Sequence, residues 1–69
     1  MKKIKIKVNG KVKTVFSNLK LSDLLKNLNI TLKKVAIELN QEIIDKKRSN
    51  NIKLKKNDKI EIVHFIWGG

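Results

Sequence analysis

Lys59-Ile60-Glu61-Ile62-Val63-His64-Phe65-Ile66, followed at once by Trp67-Gly68-Gly69, is the most apolar strand-like run of the chain and ends it. Its alternation predicts a strand over 59–66, with Ile60 and Ile62 facing a core and Glu61, Val63, Phe65 and Trp67 on the opposite side. The chain has three glycines in 69 residues, and two of them form this final pair. At a glycine usage of about 7%, an adjacent pair at the last two positions arises by chance in about one chain in 200. In mid-chain a glycine supplies a positive φ for something that follows. At a terminus it offers a slender arm without side chains, carrying an α-carboxylate that can be threaded into another protein's active site.

Working back from that strand, Asn57-Asp58 signals a turn, and Ile52 and Leu54 predict a brief edge strand. Asp45 to Asn51 is polar and reads as a loop or a single helical turn. Val35, Ile37 and Leu39 alternate with Ala36 and Glu38 to give a strand ended by Asn40-Gln41, and Ile43-Ile44 is a short apolar step after that turn. Leu21, Leu24, Leu25 and Leu28 have the spacing of one helical face, with Ser22 as the expected N-cap and Asp23 as a first-turn anion. So short a helix is marginal alone and must lie on the sheet. At the amino end, Ile4, Ile6 and Val8 alternate with Lys3, Lys5 and Lys7, predicting a half-buried strand with a lysine-coated outer face. Asn9-Gly10 is a strong hairpin signal, and Val12 to Phe16 reads as the returning strand.

This order is the β-grasp layout, an α+β fold with a mixed sheet of about four to five strands packed on one helix. The first and last strands are expected to lie parallel at the centre, because the helix supplies the crossover such a pairing needs. With no proline, linker or internal repeat, 1–69 reads as one domain with 67–69 as a reactive tail, expected to be mobile as unanchored termini usually are.

Composition narrows the function classes. A chain this short buries only about 60% of the surface its unfolded form exposes, which favours a binding or carrier module over an enzyme with an active-site cleft. There is no cysteine and His64 is the only histidine, so disulfides, thiol catalysis and the usual zinc constellations are excluded. Ile4-Lys5-Ile6-Lys7 alternates where a signal peptide would have an apolar run, which argues against secretion. No stretch approaches the roughly 18 apolar residues that span a membrane. The net charge is +11, from 17 basic and 6 acidic residues. A basic nucleic-acid-binding module using the lysine face is therefore the alternative of another class. Arg48 is the only arginine, however, and arginine's planar fork is what a phosphate-binding surface usually recruits. Abundant lysine, asparagine and isoleucine fit an AT-rich coding bias instead.

Asn9-Gly10, Leu24-Leu25, Val35-Ala36-Ile37-Glu38-Leu39-Asn40 with Glu42-Ile43, and Asp58-Lys59-Ile60-Glu61-Ile62-Val63-His64 running to Gly68-Gly69 together resemble the ThiS family of thiamine-biosynthesis sulfur carriers. The resemblance covers essentially the whole chain. It implies a ubiquitin-like fold and a carrier that is not itself an enzyme, with no cofactor bound permanently. A ThiF-like adenylyltransferase of the ubiquitin-activating type would consume ATP to adenylate the Gly69 carboxylate. A sulfur donor such as a cysteine desulfurase would convert the acyl adenylate to a thiocarboxylate, and the sulfur would pass to a ThiG-like thiazole synthase. The implied setting is the cytoplasm or an organelle stroma such as that of a plastid. The molybdopterin synthase small subunit and a ubiquitin-like protein modifier are the alternatives within the same carrier class. The chain departs from the commonest ending of the family, in which another small residue precedes the glycine pair; here it is Trp67.

The residues make that chemistry reasonable. An α-carboxyl with an ordinary pKa of about 3.5 is ionised at neutral pH and attacks the α-phosphate of ATP without a base from its own chain. Adenylation turns a poor oxygen leaving group into a good one. Glycine at 68 and 69 minimises bulk around the reacting carbonyl. Val63, Phe65 and Trp67 form an outward apolar stripe leading to it, read either as a partner-docking surface or as a strip covered by a loop or bulge. His64 lies several residues from the reacting carbon and is read as structural. Glu38, Glu42 and Asp45 have no spacing that gives a shared face and are read as surface charges.

Overall fold

The computed structural model describes residues 2–30 and 35–64. They form β1 (Lys3–Val8), β2 (Lys11–Phe16), α1 (Leu21–Asn27), β3 (Val35–Leu39), β4 (Glu42–Ile44), a 3-10 helix (Lys46–Asn51) and β5 (Lys59–His64). The strands make a five-stranded mixed sheet in the order β2-β1-β5-β3-β4. Only the central β1 and β5 pair is parallel, with Lys7 beside Lys59 and Val8 beside Ile60. The β1–β2, β3–β4 and β3–β5 pairs are antiparallel. This is the architecture expected from the alternation of the strands and the single amphipathic helix.

Two-residue turns close both hairpins, with Asn9 and Gly10 at φ of 49° and 82° and Asn40 and Gln41 at 52° and 73°. Positive φ at both central residues matches the right-handed twist of the flanking strands, so register follows from the turns. That register puts Ile4, Ile6 and Val8 of β1, Val35 and Ile37 of β3 and Ile60 and Ile62 of β5 on one face. Leu21, Leu24 and Leu25 of α1 close over it, and Ile6, Leu54 and Ile60 are likewise buried. Burying such a side chain stabilises the fold by about 1.5–3 kcal/mol.

The helix begins differently from expectation. Lys20 is the N-cap, and Ser22 lies buried within the first turn. The cause is a short bridge between Lys20 and Lys53: Leu21 N–H donates to the Ile52 carbonyl at 2.8 Å and Leu54 N–H to the Leu19 carbonyl at 2.8 Å. These bonds hold 19–21 extended up to the point where Leu21 drops into the core. Asp23 does act as the first-turn acid, its carboxylate accepting the Lys20 N–H at 3.4 Å. The same bridge replaces the edge strand expected at Ile52 and Leu54, which joins the helix entry and not the main sheet. The helix ends as Asn29 N–H donates to Lys26 and Ile30 N–H to Leu25, with Asn29 at a φ of 57°. This is the left-handed C-terminal cap that asparagine tolerates.

Candidate functional site

The site is built on β5, the strand that precedes the glycine pair. Its inner residues Ile60 and Ile62 are buried and its outer residues Lys59, Glu61 and Val63 are exposed, as the alternation predicts. Val63 is 49% exposed and stands across from Ala36 of β3. Phe65, Ile66, Trp67, Gly68 and Gly69 lie outside the described residues, so the last two positions of the expected strand, the outer placement of Phe65 and Trp67, and the tail do too.

The outer face of the sheet is divided by charge. Lys3, Lys5 and Lys7 of β1 point outward, with Lys7 beside Lys59 at the start of β5. Phe16 of β2 lies opposite Lys3, whose ammonium sits 5.5 Å from the centre of its ring. Toward the other edge, Glu61 of β5 faces Glu38 of β3, and Ile43 of β4, 79% exposed, lies beyond Glu38. The face therefore runs from a basic half on β1 to a half on β5, β3 and β4 where two carboxylates are framed by Val63, Ala36 and Ile43. Such a polarised surface presents both apolar contact area and an electrostatic direction to a protein partner.

Of the remaining candidates, Asp45 caps the 3-10 helix by accepting the Lys47 N–H at 3.0 Å, while Glu42 sits on the edge strand. They share no site with Glu38, and among the described residues no group of three or more His, Cys, Asp or Glu could hold a metal ion. His64 is exposed at the end of β5, across from Val35. Among the described residues no helix is long and apolar enough to cross a membrane.

Both ends of β5 are braced by side chains from the two hairpin turns. At its start, Asn40 Oδ1 accepts the Lys59 N–H at 2.9 Å, and Asn40 Nδ2 donates to Asp58 Oδ1 at 3.0 Å. Asp58 Oδ2 in turn accepts the Lys55 N–H at 2.7 Å. At the other end, Asn9 Oδ1 accepts the Ile62 N–H at 2.7 Å and Asn9 Nδ2 lies 3.4 Å from the Ile62 carbonyl. Sequence reading identified Asn9, Asn40 and Asp58 only as turn residues. Nothing in their spacing says that their side chains reach 53 and 19 positions along the chain.

Residues 6–69 match the model of the ThiS family. The chain belongs to the ThiS family. Among its relatives in the family, the sulfur carrier protein ThiS of Bacillus subtilis is 42% identical over 65 residues, spanning 93% of this chain and 98% of that one. The crystal structure of the thiamine biosynthesis protein ThiS from Geobacter metallireducens superposes with a TM-score of 0.81 at 30% identity, covering 96% of this chain and 100% of that one. The fold is therefore the β-grasp fold of the ThiS family. A thiazole synthase of Paramagnetospirillum magneticum is also similar, 35% identical over 66 residues. This chain spans 96% of itself but only 20% of that relative's length.

Proposed function

We propose that the chain is a sulfur carrier for assembly of the thiazole ring of thiamine, one β-grasp domain ending in a reactive tail at 67–69. The observation that carries this reading is the 42% identity to the Bacillus sulfur carrier over 98% of that protein's length. It is supported by the family match, which runs through Gly69 itself.

In this reading the Gly69 α-carboxylate is the attachment point and the chain supplies no catalytic group. One carboxylate oxygen attacks the α-phosphorus of ATP in a partner adenylyltransferase, and pyrophosphate leaves. The outer sulfur of a persulfide, formed on a donor such as a cysteine desulfurase, then attacks the carbonyl carbon and expels AMP. A thiol reduces the resulting acyl disulfide, leaving the outer sulfur on Gly69 and the donor's own sulfur in a disulfide with that thiol. The product is a 1-thioglycine thiocarboxylate. ATP is consumed by the partner and no cofactor stays on the carrier. Gly68 lets the tail enter a narrow channel, and Trp67, with Val63 and Phe65, docks on the partner body at its mouth. Thiazole synthase is the sulfur acceptor, a reading supported by the thiazole synthase chain that contains a stretch similar to this one. The place of action is the compartment that holds these enzymes, cytoplasm or organelle stroma.

Complementation tests the proposal. The full chain restores thiamine-independent growth to a strain lacking its own thiazole-pathway carrier, and the chain without Gly69 does not. Rescue of a molybdopterin-synthase mutant in place of the thiamine-requiring strain contradicts it.

A further inference from the structure

β1 ends at Val8, yet β5 continues beyond it, and on the β1 side what reaches Ile62 is a side chain. Asn9 N–H donates to the Ile60 carbonyl at 2.9 Å, the bond a ninth residue of β1 would make in a parallel ladder. In such a ladder the carbonyl of that same residue would accept from Ile62. At a φ of 49° the main chain of Asn9 has instead turned into the hairpin. Its side-chain amide takes over, with Oδ1 on the Ile62 N–H at 2.7 Å and Nδ2 facing the Ile62 carbonyl at 3.4 Å. One asparagine thus closes the hairpin and completes the ladder for the last stretch of β5 that has support on its β1 side among the described residues. Val63 and His64 are paired on the β3 side.

We infer that Asn9 is a positioning residue for the transfer chemistry, fixing the root of the reactive tail relative to the outer face of the sheet. The inference rests on the proposed carrier function. A partner that grips the sheet and threads the tail binds only those molecules in which the two are correctly related. If the end of β5 frays, the apparent affinity falls by the fraction of molecules left in register. Chemistry at the bound Gly69 carboxylate is untouched.

The test is steady-state adenylation of the full chain by the cognate activating enzyme, with the carrier as varied substrate. Asn9→Gly keeps the positive φ of the turn while removing the clamp. Asn9→Asp keeps the acceptor for the Ile62 N–H and loses the donor. Asn40→Gly removes the matching amide at the far end of β5 and serves as control. All are assayed at a temperature where circular dichroism shows them folded, and amide exchange is read at Ile62. Asn9→Gly is expected to raise KM by about fivefold or more with kcat within about twofold, Asn9→Asp to raise it less, and Asn40→Gly to leave it near wild type. Exchange at Ile62 is expected to accelerate in Asn9→Gly alone. An unchanged KM in Asn9→Gly, an equal rise in Asn40→Gly, or undiminished protection of Ile62 overturns the inference while wild-type charging stands. A wild-type chain that is not charged at all removes the functional reading and this inference together.

Discussion

On the face of the sheet turned toward α1, Ile6, Val35, Ile37, Ile60 and Ile62 are closed to solvent beneath Leu21, Leu24 and Leu25. On the opposite face of the same strands, Lys3, Lys5, Lys7, Lys59, Glu61 and Val63 are exposed. Two sets of side chains separated by single steps along one backbone therefore do different work. The inner set offsets the chain entropy of a very small domain. The outer set is free to be chosen for contact. β5 belongs to both sets, since Ile60 and Ile62 anchor it while Glu61 and Val63 face outward. A carrier with its chemistry at one terminus fits that division.

The comparison breaks most easily on the inner face. Leu24→Ala is expected to destabilise the fold by about 2–5 kcal/mol, through lost burial and the cavity left beneath the helix. Urea unfolding measures it, and a loss below about 1 kcal/mol would mean that the core is not where the stability lies. Smaller effects on folding are expected on the outer face. Lys5→Gln should change stability by less than about 0.5 kcal/mol, and Val63→Asp, at a half-exposed strand position, by about 1 kcal/mol. Val63→Asp should still weaken docking to the activating enzyme, measured as a raised KM for the carrier, because it places a charge in the apolar surround of Glu61 and Glu38. A Val63→Asp chain that loses as much stability in urea as Leu24→Ala would show that this face is structural as well.

The division between faces was largely legible in the amino-acid sequence, because period-two alternation in β1, β3 and β5 needs no tertiary information to be read. The hairpin at Asn9-Gly10 was legible for a similarly local reason. Where reading failed, a distant segment intervened. Ser22 looked like the cap of α1, but the bridge to Ile52–Leu54 sets the helix start at Leu21, and the same bridge removed the edge strand expected there. The clamp of Asn9 on Ile62 left no trace in spacing, since an asparagine in a turn looks the same whether its amide faces water or a strand. At the site, the outward placement of Val63 was predictable from alternation alone. The opposition of Glu38 and Glu61 was not, because it depends on the register of β3 against β5.

The central claim is that the work of this domain is delivered at the Gly69 carboxylate. Intact-mass spectrometry tests it most directly, after incubation of the full chain with ATP, the cognate activating enzyme and a sulfur source. The account predicts that one carboxylate oxygen is replaced by sulfur, that fragmentation places the change at Gly69, and that the chain lacking Gly69 stays unmodified while remaining folded. An unchanged mass under those conditions, or sulfur located on any other residue, would contradict it.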